Sequence, residues 1–130
     1  MRIATSHYAD AIVATLAGRL DHQSAAQFEA ALTPLLAKVG ESRGALVLDF
    51  SDLDYISSVG LRALMIAARQ TREQQSKLLV AALQSVVAEI FAISRFDRVL
   101  AIVPTLDDAL DQCSAAARAQ YRAAGSAPRP

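Results

Sequence analysis

The chain has 130 residues, 53% hydrophobic and 20% charged, enough apolar material for one domain with a continuous core. Thirteen basic and thirteen acidic side chains cancel, so no overall field draws the chain to nucleic acid or to an anionic membrane surface. One cysteine, Cys113, excludes an internal disulfide and a zinc site built from cysteines. No apolar run approaches the roughly 20 residues that span a bilayer. The opening Met1-Arg2-Ile3 reaches His7 and Asp10 before any sustained apolar run, so it does not read as a signal peptide. These features together predict a soluble, cytoplasmic, single-domain protein.

Residues 2–8 and 11–17 read as two short strands, and Ala9-Asp10 between them suggests a hairpin. Gly18-Arg19-Leu20-Asp21 reads as a loop entering a helix that Asp21 or Ser24 would cap. Phe28, Leu32, Leu35, Leu36 and Val39 recur at helical spacing, and Gly40 is the expected stop. Pro34 interrupts this pattern. It predicts either a kink or a second short helix capped by Thr33, with Pro34 in its first position.

Residues 45–50 are apolar except for Asp49, as expected of a strand buried on both faces. A serine-containing loop follows. A helix beginning near Ser58 then carries Leu61, Leu64, Met65 and Ala68 toward Gln75. Residues 78–82 read as a strand, and Ser85 opens a short helix bearing Val86, Val87, Ile90 and Phe91. Residues 99–103 form a further predicted strand, ended by Pro104. Thr105 or Asp107 would cap the last helix, with Leu106, Ala109, Leu110 and Cys113 on it.

The predicted division is a domain over residues 1–114 and an alanine-rich helical extension over 115–130. The final segment, 125–130, is expected to be a disordered tail. Strand–helix alternation after the initial pair predicts an α/β fold. Its mixed sheet would have parallel neighbours joined by right-handed crossover helices and an antiparallel N-terminal hairpin.

Asp54-Tyr55-Ile56-Ser57-Ser58-Val59-Gly60-Leu61 sets two hydroxyls where a strand gives way to a helix. Free N–H groups and the helix dipole favour an anion there, including a phosphate carried on serine. Helix capping is the competing use of either hydroxyl, and local chemistry leaves both open. Arg62, Ile66, Arg69 and Glu73 fall at i, i+4, i+7 and i+11 on the same helix. They form either an apolar patch with a charged rim suited to a protein partner, or a solvated face whose isoleucine another element covers. Arg95, Asp97 and Arg98 read most simply as a loop of mutually compensating charges.

Catalysis has little support. No Gly-x-Ser-x-Gly elbow, Walker loop or Gly-x-Gly-x-x-Gly fingerprint is present, and only His7 and His22 could act as imidazole bases. Asp49, Asp52 and Asp54 read as strand-end and turn residues rather than a metal cluster. Neither a metal nor a cofactor is expected.

Three segments carry a family resemblance. Leu16-Ala17-Gly18-Arg19-Leu20-Asp21 contains a Gly-x-Leu-Asp loop. Tyr55-Ile56-Ser57-Ser58-Val59-Gly60-Leu61-Arg62 is close to a Tyr-Ile-Ser-Ser-Ala-Gly-Leu-Arg form, and Phe91-x-Ile-Ser-x-Phe-Asp-Arg follows the third helix. Over residues 12–110 the chain resembles STAS domains, specifically bacterial anti-sigma factor antagonists. The resemblance implies partner switching. An unphosphorylated antagonist binds a GHKL-type serine-kinase anti-sigma factor and frees a sigma factor; phosphorylation of one serine ends the association, and a PP2C-type phosphatase restores it.

Matching to Gly60-Leu61 places the phosphoacceptor at Ser58, with Ser57 where the commonest family form has aspartate. Val59 replaces a small or hydroxyl residue. Asp21 matches a loop aspartate near the family's phosphosite, and Ser57, Gly60, Arg62, Ile66 and Arg69 would complete the partner surface. The alternative is a non-switching STAS scaffold or accessory subunit of a transporter or signalling assembly.

Overall fold

The computed structural model describes residues 1–125. The N-terminal hairpin pairs β1 (Arg2–Tyr8) with β2 (Ala11–Leu20) in antiparallel register. The chain continues through α1 (Ala25–Ser42), β3 (Ala45–Ile56), α2 (Ser58–Glu73), β4 (Lys77–Ala81) and α3 (Ser85–Ser94). A single 3-10 turn, Phe96–Arg98, leads to β5 (Ala101–Val103), α4 (Leu106–Cys113) and α5 (Ala115–Gly125). The sheet order is β1-β2-β3-β4-β5, with every pair after the hairpin parallel. The mixed α/β sheet is therefore the one expected from the strand–helix alternation.

The period-2 pattern of the buried strands divides the core between the two faces of the sheet. Ile12, Ala14 and Leu16 of β2 and Leu46, Leu48 and Phe50 of β3 point to one face, where Phe28, Leu64 and Phe91 of α1, α2 and α3 cover them. Ala11, Val13, Ala45 and Val47 point to the other, against Leu110 of α4 and Ala117 of α5. All three crossover helices thus lie on one side, as crossovers of a single hand require when the strand order runs in one direction.

Several boundaries differ from expectation. β2 does not end at Ala17 but runs to Leu20, passing through Gly18 at φ +105°, a value that disfavours any side chain. β3 extends past Phe50 to Ile56, so the segment expected to be a loop is strand. Phe50, Leu53 and Ile56 are all fully buried although they are three residues apart. Regular alternation cannot place such a series on one face. Two register irregularities do so, one between Thr15 and Ala17 and one between Gly18 and Arg19, each fitting an extra β3 residue against β2.

α1 neither stops nor restarts at Pro34. It is continuous over 18 residues, with Thr33 and Pro34 exposed and the Thr33 hydroxyl donating to the Glu29 carbonyl at 2.9 Å. Buried Leu32, Leu35 and Leu36 flank the proline on the core side, and their packing holds the helix together where one backbone donor is missing. Nor does Gly40 end it. Arg43, left-handed at φ 52°, closes the helix, while the Gln74 side chain lies close against Gly40.

The C-terminal helical stretch is two helices. Ser114 adopts an extended conformation between them; its hydroxyl accepts from the Ala117 N–H at 3.0 Å and donates to Asp10 at 2.8 Å. α5 then covers the hairpin, with Tyr121 edge-on to Tyr8 at 5.4 Å and Gln120 accepting from the Ala9 N–H. Residues 126–130, most of the expected tail, lie outside the described residues.

Candidate functional site

α2 starts where it does because Ser57 is extended (φ −90°, ψ 173°) and turns the chain out of β3. Its Oγ accepts from the Gly60 N–H at 3.2 Å, and its carbonyl accepts from the Leu61 N–H at 2.9 Å. Its own N–H donates to the Leu20 carbonyl at 2.9 Å, tying the end of β3 to the end of β2. Ser57 is thus the helix cap, and its hydroxyl is committed. Ser58, the first helical residue, is exposed and has no side-chain hydrogen bond among the described residues. The local chemistry of the sequence left the two hydroxyls equivalent, and only the family resemblance favoured Ser58; the backbone gives them different surroundings.

Gly60 allows this junction to close. A Cβ there would stand 2.8 Å from Leu20 Cγ and 2.9 Å from the Leu20 carbonyl oxygen, distances side chains do not tolerate. The absence of a side chain lets the first turn of α2 rest on the last residue of β2. Leu20 therefore brings the Asp21 loop beside the two serines.

Asp21 shapes that loop. Its Oδ1 accepts from the N–H groups of Gln23 (3.0 Å) and Ser24 (3.2 Å), while the Ser24 hydroxyl donates to the Arg19 carbonyl at 2.7 Å. Desolvation works against ionisation of Asp21. The hydrogen bonds from Gln23 and Ser24 outweigh it and, with His22 nearby, hold the carboxyl below its ordinary value. Ser24 occupies the cap position of α1 without making a side-chain capping bond, and the Asp21 carboxylate accepts only from N–H groups ahead of the helix and the Ser24 hydroxyl. The side chains of the two expected caps therefore order the entering loop rather than bond to the helix itself. The Arg19 guanidinium lies 4.4 Å from the centre of the Tyr55 ring and 3.8 Å from Asp21 Oδ2. It spans the β3 end and the Asp21 loop, a link the sequence reading missed. The alternation of Arg19 with buried Leu20, and of Tyr55 with buried Ile56, was its only trace.

The first turn of α2 contains no acidic residue, so its N–H groups and dipole face no competing charge from the helix itself. Arg62, Ile66 and Arg69 continue along the exposed side of α2 together with Glu73. Ile66 is 53% exposed and Val59, next to Ser58, is 46% exposed. The reading in which another element covers Ile66 is therefore excluded. Arg95, Asp97 and Arg98, in the loop after α3, are also exposed and form no ion pair with one another among the described residues.

Among the described residues no three acidic, histidine or cysteine side chains converge on a possible metal position. Asp49 instead accepts from Thr15 at 3.4 Å and from the Ser51 N–H at 3.0 Å. Neither histidine hydrogen-bonds to a serine among those residues. No described helix is long and apolar enough to cross a membrane.

A family profile described as the STAS domain matches residues 2–109. The chain belongs to the STAS domain family. BtrV of Bordetella bronchiseptica, a protein named as an anti-sigma factor antagonist, is 40% identical over 85 residues, 65% of this chain and 71% of BtrV. An anti-sigma factor antagonist from Mycobacterium paratuberculosis superimposes with a TM-score of 0.76 at 25% identity, over 86% of this chain and 92% of the other.

SpoIIAA, the Bacillus cell fate determinant, has the same fold at 16% identity. Its unphosphorylated form gives a TM-score of 0.65 over 85% of this chain and 96% of SpoIIAA. Its phosphorylated form gives 0.61 over 85% and 98%. In this STAS domain, α5 lies wholly beyond the residues that the family profile matches.

Proposed function

We propose that the chain is a cytoplasmic, non-enzymatic anti-sigma factor antagonist of a partner-switching pathway, with Ser58 as its phosphoacceptor. The observation that carries this reading is the division of labour at the start of α2. Ser57 uses its hydroxyl to cap the helix, while Ser58 offers a free, exposed hydroxyl one residue later. A GHKL-type serine-kinase anti-sigma factor would bind over Ser58 and the Arg62-Ile66-Arg69 face, and in doing so release its sigma factor. Its ATP supplies the phosphoryl group, so the antagonist requires no cofactor. A PP2C-type phosphatase would remove the phosphate.

The physical basis of release is local. Phosphoserine brings about −1.5 to −2 charges and three acceptor oxygens. The N-terminus of α2 accommodates them through its N–H groups and dipole, so the domain stays folded. A partner seated on the same spot meets charge, bulk and a desolvation cost. Relatives named as anti-sigma factor antagonists support the partner class, and the existence of a phosphorylated SpoIIAA supports the kind of modification.

The test is phosphate mapping by mass spectrometry after incubation with the kinase partner and ATP. The expected result is one phosphate on Ser58, none on Ser58→Ala and retained labelling of Ser57→Ala. Full phosphorylation of Ser58→Ala would overturn the site. Stable copurification with a transporter subunit, and no transfer from any such kinase, would instead indicate a scaffold.

A further inference from the structure

Beside the exposed face of α2 runs a groove of about 210 Å³ between α1 and α2. Phe28, Leu32 and Leu36 form its α1 wall, and Ala63 and Ala67 its α2 floor. The two alanines leave unfilled the space that larger ridge residues would occupy between packed helices. Ile66 stands at the rim, and Val59 lies seven residues earlier, on the same side two turns away. The apolar surface therefore continues along α2 toward Ser58.

The rims differ in charge. Arg62 and Arg69 bracket Ile66, both are exposed, and neither has an ion-pair partner among the described residues. Glu29 and Thr33 of α1 form the opposite rim. An occupant must then satisfy an apolar seam and two unpaired guanidinium groups on one side of it. A nucleotide or free phosphate would leave the seam uncovered. A second copy related by a twofold axis at Ile66 would bring arginines against arginines. An amphipathic helix with carboxylates along one flank satisfies both requirements.

We infer that the α1–α2 groove receives an amphipathic helix of the kinase partner. The helix sets its apolar stripe on Ile66 and Val59 and its acidic flank against Arg62 and Arg69. This rests on the partner-switching reading and extends the docking surface to α1, which that reading does not require. Ile66 lies eight residues beyond Ser58, about 12 Å along the helix at 1.5 Å per residue. Docking there holds the kinase alongside Ser58 rather than only on top of it.

Calorimetric titration of the intact chain with the purified kinase partner tests this. Ile66→Ala and Thr33→Arg are each expected to weaken binding about tenfold or more. Ile66→Met should bind like the wild type. Arg62→Glu combined with Arg69→Glu should weaken binding and flatten its salt dependence when the titration is repeated across ionic strengths. Both Ile66 and Thr33 are exposed, so unchanged circular-dichroism melts are expected and separate loss of contact from loss of fold.

Binding of Ile66→Ala and Thr33→Arg within twofold of wild type, while Ser58→Asp still releases the partner, would overturn the groove and leave the switch standing. Failure of the wild-type chain to bind the kinase at all would overturn both.

Discussion

The two adjacent serines differ because one backbone step separates an extended residue from a helical one. Ser57 caps α2, so Ser57→Ala is expected to cost about 1 kcal/mol in urea unfolding, the usual loss for a serine cap. Ser58→Ala, which removes an unbonded exposed hydroxyl, should stay within about 0.5 kcal/mol of the wild type. Equal losses for the two variants would contradict the assignment of the cap.

Gly60 carries a sharper expectation. Gly60→Ala puts a methyl group within 3 Å of Leu20, whose carbonyl cannot retreat without breaking its bond from the Ser57 N–H. A loss of about 1–3 kcal/mol, typical of forced overpacking, should appear in the same unfolding assay. A neutral substitution there would show that the β2–α2 contact is looser than described.

At the level of elements, the sequence was most informative where periodicity was regular and least where the fold depends on irregularity. The crossover helices and the parallel strands follow from their apolar spacing. The C-terminal half of β3 does not, because Phe50, Leu53 and Ile56 share a face only through two pairing irregularities set by β2. Sequence placed the serine junction at the start of α2, and the family resemblance favoured Ser58 there, but which hydroxyl caps the helix was not legible, since capping is decided by backbone angles. The α1 wall of the groove was hidden for another reason: Phe28, Leu32 and Leu36 read as ordinary core residues.

α5 was legible only as a helical extension, because its docking depends on distant partners. One of these is the ion cluster of Asp107 with Arg122, bonded through two nitrogens at 2.9 and 3.1 Å, and with Arg118 at 3.0 Å. Hydrogen bonds from Arg122 and then Arg118 pull the Asp107 carboxyl from 3.8 down to about 2. A carboxyl depressed in the folded state stabilises it above its unfolded value. That contribution is full above pH 3.8 and is lost as pH falls from there toward about 2. Thermal melts across this range should therefore fall less steeply with acid for Asp107→Asn than for the wild type. Identical slopes would show that the cluster contributes nothing to acid stability.

Over the whole molecule, the sheet separates two tasks. One face carries α1, α2 and α3, including the serine junction, the exposed arginines and the groove. On the other face, α4 and α5 close the core and secure the hairpin through Tyr8, Ala9 and Asp10. In the proposed switch, phosphorylation at Ser58 would change charge at the rim of the first face, where the serine is exposed, without displacing any buried residue. Regulation of that kind would act on the docked complex rather than on the stability of the fold.

The affinity of the intact chain for its kinase partner, measured before and after stoichiometric phosphorylation of Ser58, tests this account most directly. Tight binding of the unmodified chain and a loss of about a hundredfold or more on phosphorylation, some 2.7 kcal/mol, is the predicted result, with the melting curve of the free domain preserved. Equal affinity in the two states, or a phosphorylated domain that has lost its fold, would contradict it.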